Sequence, residues 1–151
     1  MLKDQRELLD AFNAHGVEYL VVGGHAVGAY GEPRLTKDLD ILLRNSPENA
    51  ERVYRALAAY GAPVADYQPS DFCDRPGQVI QFGVPPNRID ILQSITGVET
   101  EEAWRDRREM MLPGGIASMV ISKQHLIQNK QAAGRLQDLA DVEKLQRYEG
   151  E

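Results

Sequence analysis

Apolar residues recur every three to four positions over residues 3–15, where Leu8, Leu9 and Phe12 share a face and Gly16 supplies a stop. That spacing predicts a helix. The pattern then changes. Residues 17–22 are apolar nearly throughout, as in a strand central to its sheet, and Gly23-Gly24 interrupt them. A short helix over about 25–30 precedes Gly31 and Pro33, and residues 38–43 return to a strand. Ser46 reads as an N-cap with Pro47 at the first helical position. The helix they open runs to about Tyr60, with Ala50, Val53, Tyr54 and Leu57 inward.

Residues 61–77 are rich in proline and glycine, lack periodicity and read as a long loop. Two strands follow, 78–82 and 88–92, joined by the hairpin-like connection Gly83-Val84-Pro85-Pro86-Asn87. Residues 99–110 predict a helix ended by Pro113-Gly114-Gly115, and 116–121 a short strand. Ser122 suits the cap of a helix to about Ala133, Gly134 its end, and a last helix covers 136–148. The order predicts an α/β (α+β) domain around a mixed sheet. Its 151 residues suit a single domain, with a core over about 17–121 and a C-terminal helical pair over about 122–148.

Composition narrows the function. Hydrophobic residues make up 42% and charged residues 26%, as in ordinary globular proteins. No apolar stretch is long enough for a membrane span. The N-terminus is charged from its third residue, so a cytoplasmic protein is expected, without a membrane partner. The net charge of −6 argues against a broad basic surface for duplex DNA. The single cysteine, Cys73, excludes an internal disulfide and reads as a small, partly buried hydrophobe.

The strand at 38–43 carries two aspartates. Alternation points Leu39, Ile41 and Leu43 to one face, and Asp38, Asp40 and Leu42 to the other. Adjacent carboxylates cannot be buried dry and unpaired, so that face must meet water, cationic side chains or a metal. Arg88-Ile89-Asp90-Ile91-Leu92 repeats the pattern. If the two strands are sheet neighbours with their aliphatic faces on one side, Asp90 joins Asp38 and Asp40 on the open face. Three carboxylates there make an oxygen-rich site suited to Mg²⁺. Gly23 and Gly24 lie at a strand–helix junction, where glycine lets backbone approach a ligand and a helix N-terminus favours phosphate. Their spacing matches neither the GxxxxGK[ST] loop nor GxGxxG.

Together these features resemble the nucleotidyltransferase superfamily with the DNA polymerase beta-like fold. The resemblance rests on Val22-Gly23-Gly24, Asp38-Leu39-Asp40 and Asp90, and covers roughly residues 17–145. Within the superfamily the chain looks most similar to small prokaryotic members, including the AbiEii type of toxin and the MNT-like proteins. Arg34-Leu35-Thr36-Lys37-Asp38-Leu39-Asp40 and Lys130 followed by Arg135-x-x-Asp138-x-x-Asp141 carry that similarity. His25 departs from the small residue that many members place after the glycines.

The resemblance implies transfer of a nucleoside monophosphate from a nucleoside triphosphate to an acceptor hydroxyl, with release of pyrophosphate. Asp38 and Asp40 would hold two Mg²⁺ ions, about 3.5–4 Å apart in such sites, with Mn²⁺ as a substitute. Asp90 would ligate the second ion and accept the hydroxyl proton. Gly23, Gly24 and His25 would contact phosphate, and Arg34 and Thr36 phosphate or acceptor. Lys130 has two readings: a lysine snorkelling outward, or an inward one that reaches the triphosphate. Arg88 shares Asp90's face and suits an ion pair with it. Asp138 and Asp141 read as helix N-terminal acids or partners of Arg135. His15 and His125 read as ordinary helix-end residues, and Trp104 with the 105–108 charge run as an anchor and a solvated helix face.

The acceptor stays open between tRNA, a protein side chain and a small molecule, and family analogy alone suggests a toxin–antitoxin or defence setting with a cognate partner protein. The alternative is a non-catalytic binding or antitoxin module of the same fold. A metal-dependent hydrolase using the three carboxylates on water is a distant third. Loop 61–77 is expected to border the acceptor side, because it precedes the strands that bring Asp90.

Overall fold

The computed structural model describes residues 1–31, 38–83 and 88–147. Its strands are β1 (Tyr19–Val22), β2 (Leu39–Leu43), β3 (Val79–Phe82), β4 (Ile89–Leu92), β5 (Arg108–Leu112) and β6 (Ile116–Val120). Its helices are α1 (Lys3–Ala14), α2 (Gly23–Tyr30), α3 (Pro47–Tyr60), α4 (Thr100–Arg105), α5 (Lys123–Ala133) and α6 (Leu136–Arg147). The strands form one mixed sheet in the order β3-β4-β2-β1-β6-β5. No helix among the described residues is long and apolar enough to cross a membrane.

The caps read from sequence operate. Ser46 accepts from the Asn49 amide at the start of α3, and Ser122 from the His125 amide at the start of α5. Gly61 and Gly134 end those helices in the left-handed region, at φ 100° and 68°. Asn49 ties α3 to the sheet. Its side chain, fully buried, bonds the Glu18 amide and the Glu18 and Arg44 carbonyls at 2.8 Å each.

The aliphatic face of β2 is the core face. Leu39, Ile41 and Leu43 are at most 1% exposed, and Tyr19, in register with Leu43, packs edge-on against Phe12 of α1. So α1 covers this face, and α3 packs beside α1. Leu20, Val22 and Leu42 of the opposite face are also buried. The carboxylate end of that face is a cleft walled by the C-terminal helical pair α5 and α6.

Two expectations are corrected. The helix expected over 99–110 stops at Arg105, and residues 108–112 form edge strand β5, antiparallel to β6. Gly114 and Gly115, at φ 102° and 85°, turn the chain so that Leu112 meets Ile116. The glycines therefore close a hairpin rather than end a helix. Loop 61–77, which contains a 3-10 turn at Pro69–Phe72, lies away from the carboxylates. The Tyr67 ring stands 6.0 Å from those of Phe72 and Phe82, and Phe82 is in register with Ile89 on the aliphatic face. None of its residues lines the cleft.

Candidate active site

Strand register assembles the acidic group. Val22 lies opposite Asp40, and Asp40 is the parallel partner of Asp90. Because β2 and β4 run side by side with Leu39–Ile89 and Ile41–Ile91 also in register, both carboxylates emerge on one face. Asp38 stands just before β2, beside them. The chain leaves β1 at Val22 and turns at once into α2 through Gly23, at φ 69°. A Cβ at Gly23 would strike Oδ2 of Asp40, so only glycine permits this approach of backbone to carboxylate.

Among the described residues, Arg88 is the cation that touches this group. Its Nε lies 3.0 Å from Asp90 Oδ1 and its Nη2 3.2 Å from Asp38 Oδ2. Asp40 is pushed up to about 6, first by burial, then by the Asp90 charge and the hydrogen bond the two carboxyls share, then by Asp38. The described residues hold no cluster of three or more His, Cys, Asp or Glu side chains gathered as a metal cage, and the Arg88 guanidinium bridges Asp38 and Asp90.

The far wall is built from α5 and α6. Lys130 is turned inward and 8% exposed, its ammonium 3.1 Å from Asp141 and 3.4 Å from Asp138. Asp138 is gripped from the other side by Arg135, with Nε at 2.7 Å from Oδ2 and Nη2 at 3.3 Å from Oδ1, and it accepts from the Arg135 amide. That bonding holds the Asp138 carboxyl below its ordinary range. The pairing of Asp138 with Arg135 is as the sequence offered, whereas the burial of Asp138 and Asp141 as counter-ions of Lys130 goes beyond the helix-dipole reading. A lysine eight residues before an inward Asp-x-x-Asp pair was the available signal. Two cations face two carboxylates on this wall, and the Lys130 and Arg135 charges also act on Asp40 across the cleft.

Between these walls lies a cleft of about 490 Å³, lined by Gly23, Gly24, Asp38, Asp40, Lys130 and Arg135, with Ser94–Thr96 and Asn129 at one side. Of the residues singled out from sequence, these are brought together, with Asp90 behind Asp40. His25 is buried and does not line the cleft. Arg34 and Thr36 lie outside the described residues. His15 caps the end of α1, the His125 amide donates to Ser122 Oγ in the first turn of α5, and Cys73 is buried. Trp104 is buried under Arg107, whose guanidinium lies 4.1 Å from its ring, but Arg107 and Arg108 stand beyond the end of α4.

The model of a family described as "Nucleotidyl transferase of unknown function (DUF2204)" matches residues 1–151. No curated protein matches the chain in sequence. Three solved structures are similar to it in fold. The lincosamide antibiotic adenylyltransferase LnuA, lincomycin-bound, superposes with a TM-score of 0.64 at 17% identity, over 98% of each chain. The antibiotic-resistance factor ANT(2'')-Ia gives 0.62 at 13% identity, over 97% of this chain and 83% of that one. TM1012 from Thermotoga maritima, assigned as a nucleotidyltransferase, gives 0.55 at 16% identity, over 98% and 94%.

Proposed function

The chain belongs to that family of nucleotidyl transferases, and on this premise we propose that it moves a nucleoside monophosphate from a nucleoside triphosphate to an acceptor hydroxyl in a Mg²⁺-dependent reaction. The observation that carries the reading is the register-matched pair Asp40 and Asp90, set against Gly23 at the cleft. The donor set fits a hard divalent cation. It is all carboxylate oxygen, and burial together with the neighbouring Asp90 and Asp38 charges pushes Asp40 up to about 6. Asp38, Asp40 and Asp90 would hold it, and a bound Mg²⁺ would supply charge neutralisation for the triphosphate and a lower pKa for the acceptor hydroxyl.

The residues of the chain do the rest. Backbone amides at Gly23 and Gly24 face the phosphates, and the cleft aligns acceptor and α-phosphate, where positioning supplies most of the rate. The acceptor oxygen forms its bond to the α-phosphorus as the bond to the bridging oxygen breaks. Pyrophosphate leaves, and the hydroxyl proton passes to the Asp40–Asp90 pair.

The similarity in fold to LnuA and ANT(2'')-Ia supports testing small hydroxylated molecules as acceptors beside tRNA and protein. A toxin–antitoxin or defence role is tested by growth. Wild type and Asp40→Ala must differ when expressed with and without neighbouring genes.

The Arg88 bridge favours a second reading, a non-catalytic binding module whose carboxylates are neutralised internally. Equilibrium binding of Mn²⁺ and a non-hydrolysable triphosphate separates the two. Transfer requires metal-dependent binding of the triphosphate that Asp38→Asn removes. Absence of binding at millimolar concentration favours the module.

A further inference from the structure

The two cations of the helical wall do not stand alike. Lys130 reaches the cleft wall but is only 8% exposed, and its ammonium is held between Asp138 and Asp141, both at most 1% exposed. The side chain of Arg135 is 79% exposed at the cleft, yet it is held still. Asp138 takes its Nε and Nη2 as a fork and its amide as well, while Nη1 bonds no described residue. Asp138 is itself fixed by Lys130 from behind. The result is a guanidinium with one edge anchored and the other edge free, across the cleft from Gly23 and Asp40. A preorganised, solvent-facing guanidinium of this kind suits phosphate oxygens, because its ordering cost is already met and its donors are planar. The hydrogen bond to Asp138 and that carboxylate's charge raise the Arg135 pKa, and the Asp40 charge adds a smaller push in the same direction.

We propose that Arg135 is the side chain that binds the β- and γ-phosphates of the nucleotide, and that Lys130 is a positioning residue that acts through Asp138. This rests on the nucleotidyl-transfer reading of the cleft. It also divides the work of the wall. The exposed cation touches the leaving pyrophosphate, and the buried one keeps it aimed.

The test is calorimetric titration of wild type, Arg135→Gln and Arg135→Lys with a non-hydrolysable nucleoside triphosphate, and with the diphosphate and monophosphate, in Mg²⁺. Arg135→Gln is expected to weaken triphosphate binding roughly ten- to a hundredfold, to weaken diphosphate less and to leave monophosphate unchanged. Arg135→Lys is expected to recover part of the loss. Because the side chain is exposed, circular dichroism melting reports whether the fold is retained. Triphosphate binding by Arg135→Gln equal to wild type, or an equal loss for all three nucleotides, would overturn the assignment and leave the transfer reading standing. Wild type that binds no triphosphate would overturn both.

Discussion

Replacing Lys130 with methionine keeps the length of the side chain and removes its ammonium. The structure says what is left behind. Asp138 keeps the Arg135 fork, but the fully buried Asp141 loses the cation that lies 3.1 Å away and retains the Gln137 amide at 2.9 Å. Breaking a buried pair from one side costs about 3–5 kcal/mol, because the remaining charge has been taken out of water. For a chain of this size that corresponds to a fall in Tm of roughly 6–20 °C. Asp141→Asn in the Lys130→Met background should restore most of the stability, although Asp141→Asn alone is destabilising. Thermal melts of the four proteins at pH 7 supply the cycle. A fall below about 2 °C at pH 7, with additive effects, would refute the buried clamp.

Asp40→Asn is expected to stabilise the metal-free protein at pH 8. The folded-state pKa of about 6 lies above the ordinary 3.8, so the folded form holds the extra proton between those values and stability falls as pH rises through them. Removing the charge returns on the order of 2 kcal/mol at pH 8 and nothing near pH 4, read from urea unfolding in EDTA. Equal stability of the two proteins at pH 8 would contradict the crowding of charge. Gly23→Ala should cost transfer roughly a hundredfold by displacing Asp40. Gly16→Ala, at nearly the same φ but with no atom within 4 Å of its Cβ, should cost stability alone. Arg88→Gln should bind Mn²⁺ roughly three- to tenfold more tightly in a spin-resonance titration, since it no longer bridges Asp38 and Asp90. Weaker binding would mean that Arg88 supports the metal rather than competing with it.

The acidic site was legible because strand alternation is a strict rule. Once Leu39-x-Ile41 and Ile89-x-Ile91 both need the core, Asp40 and Asp90 have one face left to them, and register does the rest. Caps at Ser46 and Ser122 were legible for the same local reason. The edge strand β5 was not. Arg108, Glu109 and Met111 are exposed, so its pattern lacks alternation, and only the Gly114-Gly115 turn ahead of β6 marked a hairpin. The placement of loop 61–77 depended on Tyr67 and Phe72 finding Phe82, a contact that no periodicity announces. Lys130 was ambiguous because an amphipathic stem suits either direction. Its two buried partners on the next helix decided it.

The central claim is transfer at the Asp40–Asp90 pair, and label transfer tests it most directly. The protein is incubated with Mg²⁺, each α-³²P nucleoside triphosphate and a lysate of its host, beside Asp40→Asn. The account predicts label in RNA, protein or a small molecule with wild type alone, together with release of pyrophosphate. Label in no fraction, or equal label with Asp40→Asn, would contradict it. Labelled monophosphate released free, with no acceptor labelled, would make the site a hydrolase.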